Sequence, residues 1–338
     1  MRNIPFFWVL VIVSAGFLAA PPAVQKVYSQ DKPRLVSSAT FRTGFLYGKS
    51  QEVVYAAYDS SRFLSELLWD HTPLFYLGAE ASFSRARLFK SVGLFANLAF
   101  NAGVPLPLSS GIMEDRDWEG TDNALDKYSA HESFSRIALF GDADLGLSIP
   151  LRFQDEDMAF LKIYANFSYM YFTWDAYNGY TQYLLNNPNY TVWDSSMPKT
   201  MFRGQAVSYQ QQWFLFSPGI GVDFPIGSLW SIGISFQISP VIWTFAVDDH
   251  VNRNKQFEDI LFGGIFMEPG LDVVFSPNKR FAFSGGVSYR FIEGTRGASR
   301  EREMLNGEPD GDFSIWSGNS AGAGYKALNT RLGMQVFF

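Results

Sequence analysis

Residues 228–250 read SLWSIGISFQISPVIWTFAVDDH, and the first half of this stretch decides the fold. Trp230, Ile232, Ile234, Phe236 and Ile238 are large and apolar, and between them stand Ser231, Gly233, Ser235, Gln237 and Ser239. Successive side chains of a strand point to opposite faces, so the segment has one oily face and one small or polar face. The rhythm returns along the chain. Val92, Leu94, Ala96, Leu98 and Phe100 alternate with Gly93, Asn97 and Asn101, and Ile137, Leu139, Ala143, Leu145 and Leu147 with Asp142, Asp144 and Ser148. Phe214, Phe216, Ile220 and Val222, then Phe281, Phe283, Val287 and Tyr289, do the same. A soluble sandwich also alternates. Here, however, the small polar face repeats in strand after strand while the large face is rich in aromatic rings, the pattern of a transmembrane barrel with lipid outside and a polar interior. Leu332, Met334, Val336 and Phe338 carry the alternation to a terminal phenylalanine.

Composition agrees. The 338 residues include 33 Phe, 16 Tyr and 9 Trp, and the charged share is 18%, below the roughly 25% of soluble domains. There is no cysteine, which excludes disulfides and thiolate metal sites. A net charge of -6 gives no reason to expect a nucleic-acid partner, which would call for a basic face. At the N-terminus Arg2 precedes an apolar run from Phe6 to Ala20 and then small residues, so 1–30 is expected to be a secretory signal and 31–338 the barrel. The apolar run is shorter than the ~20 residues of a spanning helix. A β-barrel is the other fold that satisfies its backbone in lipid.

The connections fall into two kinds. Short ones lie near 85–88, 152–157, 226–228 and 277–280, and long polar ones near 50–62, 114–133, 177–205, 252–258 and 293–319. They alternate, which predicts an all-β fold: a transmembrane antiparallel β-barrel of about ten strands with long extracellular loops. With both termini periplasmic, Asp115 and Asp117 end the third strand and Asp248 and His250 end the seventh, all at the extracellular rim.

These four residues carry the chemistry. The spacing of two puts Asp115 and Asp117 on one strand face, and the alternation of the third strand points them inward. Two neighbouring acids repel, which raises one pKa and suits a group that holds or activates water. Asp248 and His250 share a face in the same way, and a carboxylate beside an imidazole makes a general base. Three carboxylates and a histidine are, as a lesser alternative, a set suited to calcium or zinc, and no metal is assigned to them here. One conflict stands out. A strict count from Trp230 turns Asp248 and His250 towards lipid, where charge is costly. An irregularity is therefore expected between Ser239 and Ala246, with Pro240, which cannot donate to a ladder, as the natural bulge site.

The sequence resembles the omptin family of outer-membrane proteases. Met-Glu-Asp-Arg-Asp-Trp at 113–118 is similar to the family's Met-x-Asp-x-Asp-Trp motif, Asp248-Asp249-His250 to its Asp-x-His motif, and Gly-Lys-Ser-Gln-Glu-Val-Val-Tyr at 48–55 to its first-loop segment. The resemblance implies an endopeptidase acting at basic residues, with catalytic Asp115, Asp117, Asp248 and His250, and with Glu52 receiving the basic side chain. The implied partners are peptides or proteins with basic residues and the outer-membrane lipid, for a monomer whose site faces outward. Two positions depart from the family pattern. Ala246 stands where a second pocket acid is implied, and Phe167 and Tyr169 stand where charged residues of a lipid A pattern are implied. No cofactor is expected, and lipopolysaccharide dependence is not carried over. The alternative is a non-catalytic barrel that binds host proteins through its Tyr-, Asn-, Ser- and Gly-rich loops.

Overall fold

The computed structural model describes residues 35–338 except 57–58, 90–91, 105–109, 119–123, 154–155 and 188, so the expected signal at 1–30 lies outside the described residues. Ten antiparallel strands close into a ring. They are β1 (Leu35–Ala56), β2 (Asp59–Phe89), β3 in two segments (Val92–Gly103 and Ser110–Asp117), β4 (Lys127–Phe153) and β5 (Glu156–Tyr183). Then come β6 (Thr200–Ile226), β7 in two segments (Trp230–Ser239 and Val241–His250), β8 in two segments (Lys255–Phe262 and Ile265–Phe275), β9 (Phe281–Leu305) and β10 (Ser317–Phe337). β1 pairs with β10 from Ser38↔Phe337 to Val54↔Ala321, which closes the ring and removes its edges.

The outward face is the oily one. Phe45, Tyr47, Leu98, Phe100, Leu145, Phe216, Ile234 and Trp243 all present their side chains to the surroundings. Beyond Tyr47 on β1 and Ile112 on β3 the outward positions become charged. Lys49 pairs with Asp70 at 3.3 Å and Arg116 with Glu114 at 2.8 Å. The backbone ladder does not stop there: β1 continues to Ala56, β2 begins at Asp59 and β9 runs to Leu305. Much of what the polar composition marked as long loop is therefore continued hairpin. The composition reported a change of solvent from lipid to water, and a ladder can cross that boundary.

The interior is filled rather than open. Low in the barrel, Arg290 bonds Glu268 (2.6 Å) and Asp142 (3.0 Å), and Arg331 bonds both oxygens of Asp272 at 2.6 Å. Above them lies a layer of buried rings. Trp69 stacks on Tyr209 with centroids 5.3 Å apart and planes at 8°, and Phe172 stacks on Tyr325 at 5.7 Å and 15°. His71 is buried among them and meets Ser50 Oγ at 3.2 Å through Nε2. This layer is the floor on which the site stands.

The expected irregularity in β7 is at Pro240. Phe216 of β6 faces Val241, while Gly219 faces Gln237. Ser217 and Pro218 are thus matched by Ile238, Ser239 and Pro240, one extra residue, which is a bulge. Ser239 Oγ–H donates to the Phe216 carbonyl, and the Val241 N–H donates to Ser239 Oγ at 2.8 Å. The faces exchange across it. Ile234, Phe236 and Ile238 point outward below the bulge and Val241 and Trp243 above it, while Ile242, Thr244, Ala246 and Asp248 are buried. The two next strands exchange faces at the same level and so keep register with β7. In β8 both Leu261 and Phe266 are buried, with Gly263 and Gly264 between them at φ of 80° and 86°. In β9 both Ile292 and Thr295 are buried, with Gly294 between them at φ 76°. A positive φ costs glycine little because it has no Cβ.

Candidate active site

The upper interior holds a cleft of about 420 Å³, lined among others by Glu52, Asp115, Asp117, Asp248 and His250. All five residues singled out in the sequence meet in one place, although they come from β1, β3 and β7. Pairing explains part of this. β2 lies between β1 and β3, so Glu52 and Asp115 both face Leu67 across the ladder. The bulge explains the rest, because without the residue at Pro240 the β7 pair would point outward.

His250 Nε2 lies 2.6 Å from Asp248 Oδ2. With Nε2–H donating to the carboxylate, Nδ1 is the basic nitrogen of the ring. The edge of Phe257 meets the ring at 5.4 Å and 81°. Burial by itself would lower the imidazole pKa, but the charge and hydrogen bond of Asp248 outweigh it and hold the ring above its ordinary value. Asp248 is itself buried, and its Oδ1 accepts no hydrogen bond among the described residues.

Asp115 is pushed up to about 7, first by burial and then by the neighbouring charge of Asp117. Ser65 Oγ donates to Asp115 Oδ1 at 3.4 Å. Near neutrality this carboxyl can therefore both accept and donate. Glu52 is buried at 4% exposure, with Oε2 unbonded among the described residues. Burial, followed by the charge of Asp248, raises its pKa well above the carboxylate range.

Other lining residues were not foreseen. Asp259 and Arg253 face the same cleft. Residues 252–258 were expected to be loop, yet β8 begins at Lys255. The signal was present in Phe257, Asp259 and Leu261, which share a strand face, but it sits in a polar stretch that composition assigns to a connection. Tyr209, opposite Asp248 on β6, lies in the floor beneath.

Residues 33–338 match the model of the Omptin family. The crystal structure of the outer membrane protease OmpT from Escherichia coli aligns with a TM-score of 0.73 at 16% identity, over 91% of this chain and 99% of that one. The translocator domain of the autotransporter NalP from Neisseria meningitidis aligns with a TM-score of 0.29 at 12% identity, over 98% and 94%. No curated protein sequence matches the chain. The barrel and the family match together define a class, an endopeptidase of the bacterial outer membrane carried on a β-barrel. The chain belongs to the Omptin family.

Proposed function

We propose that the barrel hydrolyses peptide bonds next to basic residues, with Asp248 and His250 activating water opposite Asp115 and Asp117. The observation that carries this reading is the convergence of the four groups on one cleft, with His250 Nε2 held 2.6 Å from Asp248. A water between the two pairs gives its proton to His250 Nδ1 as its oxygen attacks the scissile carbonyl. Asp248 stabilises the imidazolium that forms. Asp115, when protonated, donates to the developing oxyanion, and Asp117 helps hold the water. The imidazolium then returns its proton to the leaving amine. Glu52 pairs with the basic side chain before the cut. In this reading residues 1–30 direct export and are removed, residues 31–338 form the mature monomer, and the cleft faces the cell exterior.

The lipid face bears on how the enzyme is assayed. Phe167 lies 4.8 Å from Phe216 and Tyr169 lies 5.1 Å from Phe214, ring centroid to ring centroid. These rings suit hydrocarbon and carry no charge for a phosphorylated sugar. The barrel refolded in detergent is expected to cleave peptides containing two adjacent basic residues, at rates within about threefold with or without lipopolysaccharide. Mass spectrometry of the products locates the cut. Intact peptide in both arms overturns the protease reading. Cleavage only with lipopolysaccharide overturns the independence.

The pH profile has a definite sign. His250 acts as a base only when neutral, and its pKa is raised, so kcat/KM should climb with pH along a limb centred above 6.5. Asp115→Asn removes one of the charges that raise His250 and should move this limb to lower pH. The limb belongs to the coupled site rather than to one residue. A limb centred below pH 5.5 would contradict the assignment of His250 as base.

A further inference from the structure

We infer that Asp259 is the second acid of the pocket for the basic side chain, placed on the strand beside the one where it was expected. This rests on the protease reading above. Ala246 and Asp259 are direct partners in the β7–β8 ladder, and such partners have Cβ atoms roughly 5 Å apart. A carboxylate on β8 thus occupies the space that a longer side chain at Ala246 would reach. Asp259 is 5% exposed, lines the cleft, and takes a hydrogen bond from the Ser299 side chain on its other neighbour, β9.

Three further observations point to a cationic ligand. Glu52, separated from Asp259 by two strands of the ring, is nine-tenths buried with Oε2 unbonded among the described residues, and the charges that act on it are those of Asp248, Asp259 and Asp115, all negative. Among the described residues no lysine or arginine forms an ion pair with Glu52 or Asp259. The strands between the two acids contribute small side chains: Ala323 faces Glu52, and Ala321 faces Gly297. Buried carboxylates are stabilised by a charged partner. Without such a partner both carboxyls favour the protonated form, and a cation that enters the cleft past Ala321, on an aliphatic stem with a charged tip, would supply it. A guanidinium is the better occupant. Its planar fork can bond two carboxylates at once, whereas an ammonium acts as a point charge.

The test compares two peptides that differ only before the cut, arginine against norleucine. Asp259→Asn should lower the arginine-to-norleucine ratio of kcat/KM by roughly 10- to 100-fold. Adding Ala246→Asp to that variant should recover most of the ratio, because it restores an acid one ladder position away. Recovery by the second change also shows that the first variant is folded. An unchanged ratio in Asp259→Asn, or no recovery in the double variant, overturns the inference. Agmatine binding, followed by calorimetry, separates this from the protease reading. If the parent protein cleaves nothing yet binds agmatine, and Asp259→Asn weakens that binding at least tenfold, the pocket stands and the catalytic reading falls. Agmatine binding that Asp259→Asn leaves unchanged overturns the pocket.

Discussion

His250→Ala in the refolded barrel is expected to lower kcat by about 10³- to 10⁴-fold, with KM changed little, because a general base held by a carboxylate contributes on that scale. The floor beneath, built on Trp69, Trp174 and Tyr209, does not depend on the imidazole. The variant should therefore refold and still bind substrate. Asp248→Asn should cost nearly as much. The ring would lose the negatively charged acceptor that receives Nε2–H at 2.6 Å, and with it the stabilisation of the imidazolium, while the amide NH2 could donate to Nε2 and favour the tautomer that leaves Nδ1 protonated. Combining the two changes should add little, since residues that act as one unit do not contribute additively. Peptide hydrolysis within tenfold of the parent for either single variant would remove the dyad from the mechanism.

Deleting Pro240 should abolish activity to the same extent, while Pro240→Gly should leave it within a few-fold. What places Asp248 and His250 inside is the count of residues across the bulge, three on β7 against two on β6, and not the proline ring. Removing one residue restores strict alternation, and a one-residue slip sends every side chain beyond it to the other face. Asp248 and His250 would turn outward, and Trp243 would turn into an interior where Ile242 and Thr244 are now fully buried. Glycine keeps the count. Hydrolysis assays paired with circular dichroism check both variants. Full activity in the deletion variant would show that β8 and β9, rather than the bulge in β7, set the orientation of the dyad.

The site was legible in the sequence to the extent that it is local. Asp115 with Asp117, and Asp248 with His250, are pairs two apart on single strands, so each pair could be read from the chain alone. The need for a break near Pro240 could also be read, from the conflict between alternation and the cost of facing lipid. Asp259 could not be recognised, because its meaning depends on standing opposite Ala246, thirteen positions away, across a turn. The buried rings of the floor were hidden in another way. Trp69 is inward because β2 gains a residue between His71 and Leu74, a shift that alternation alone does not announce. Trp174 and Tyr209 keep the inward phase of Ser168 and Ser217 on their own strands, but large rings on a face that is otherwise small and polar look in sequence like outward ones.

The sequence by itself determined the architecture: period two, an oily face, polar stretches at one end and short turns at the other are properties of each strand separately, and any chain with that pattern must close to satisfy its backbone in lipid. Only the tertiary structure decided which residues share the cleft. That outcome depends on ladder register, on where each strand gains a residue, and on which strands become neighbours when the ring closes, and each of these is settled by contacts between segments far apart in the chain.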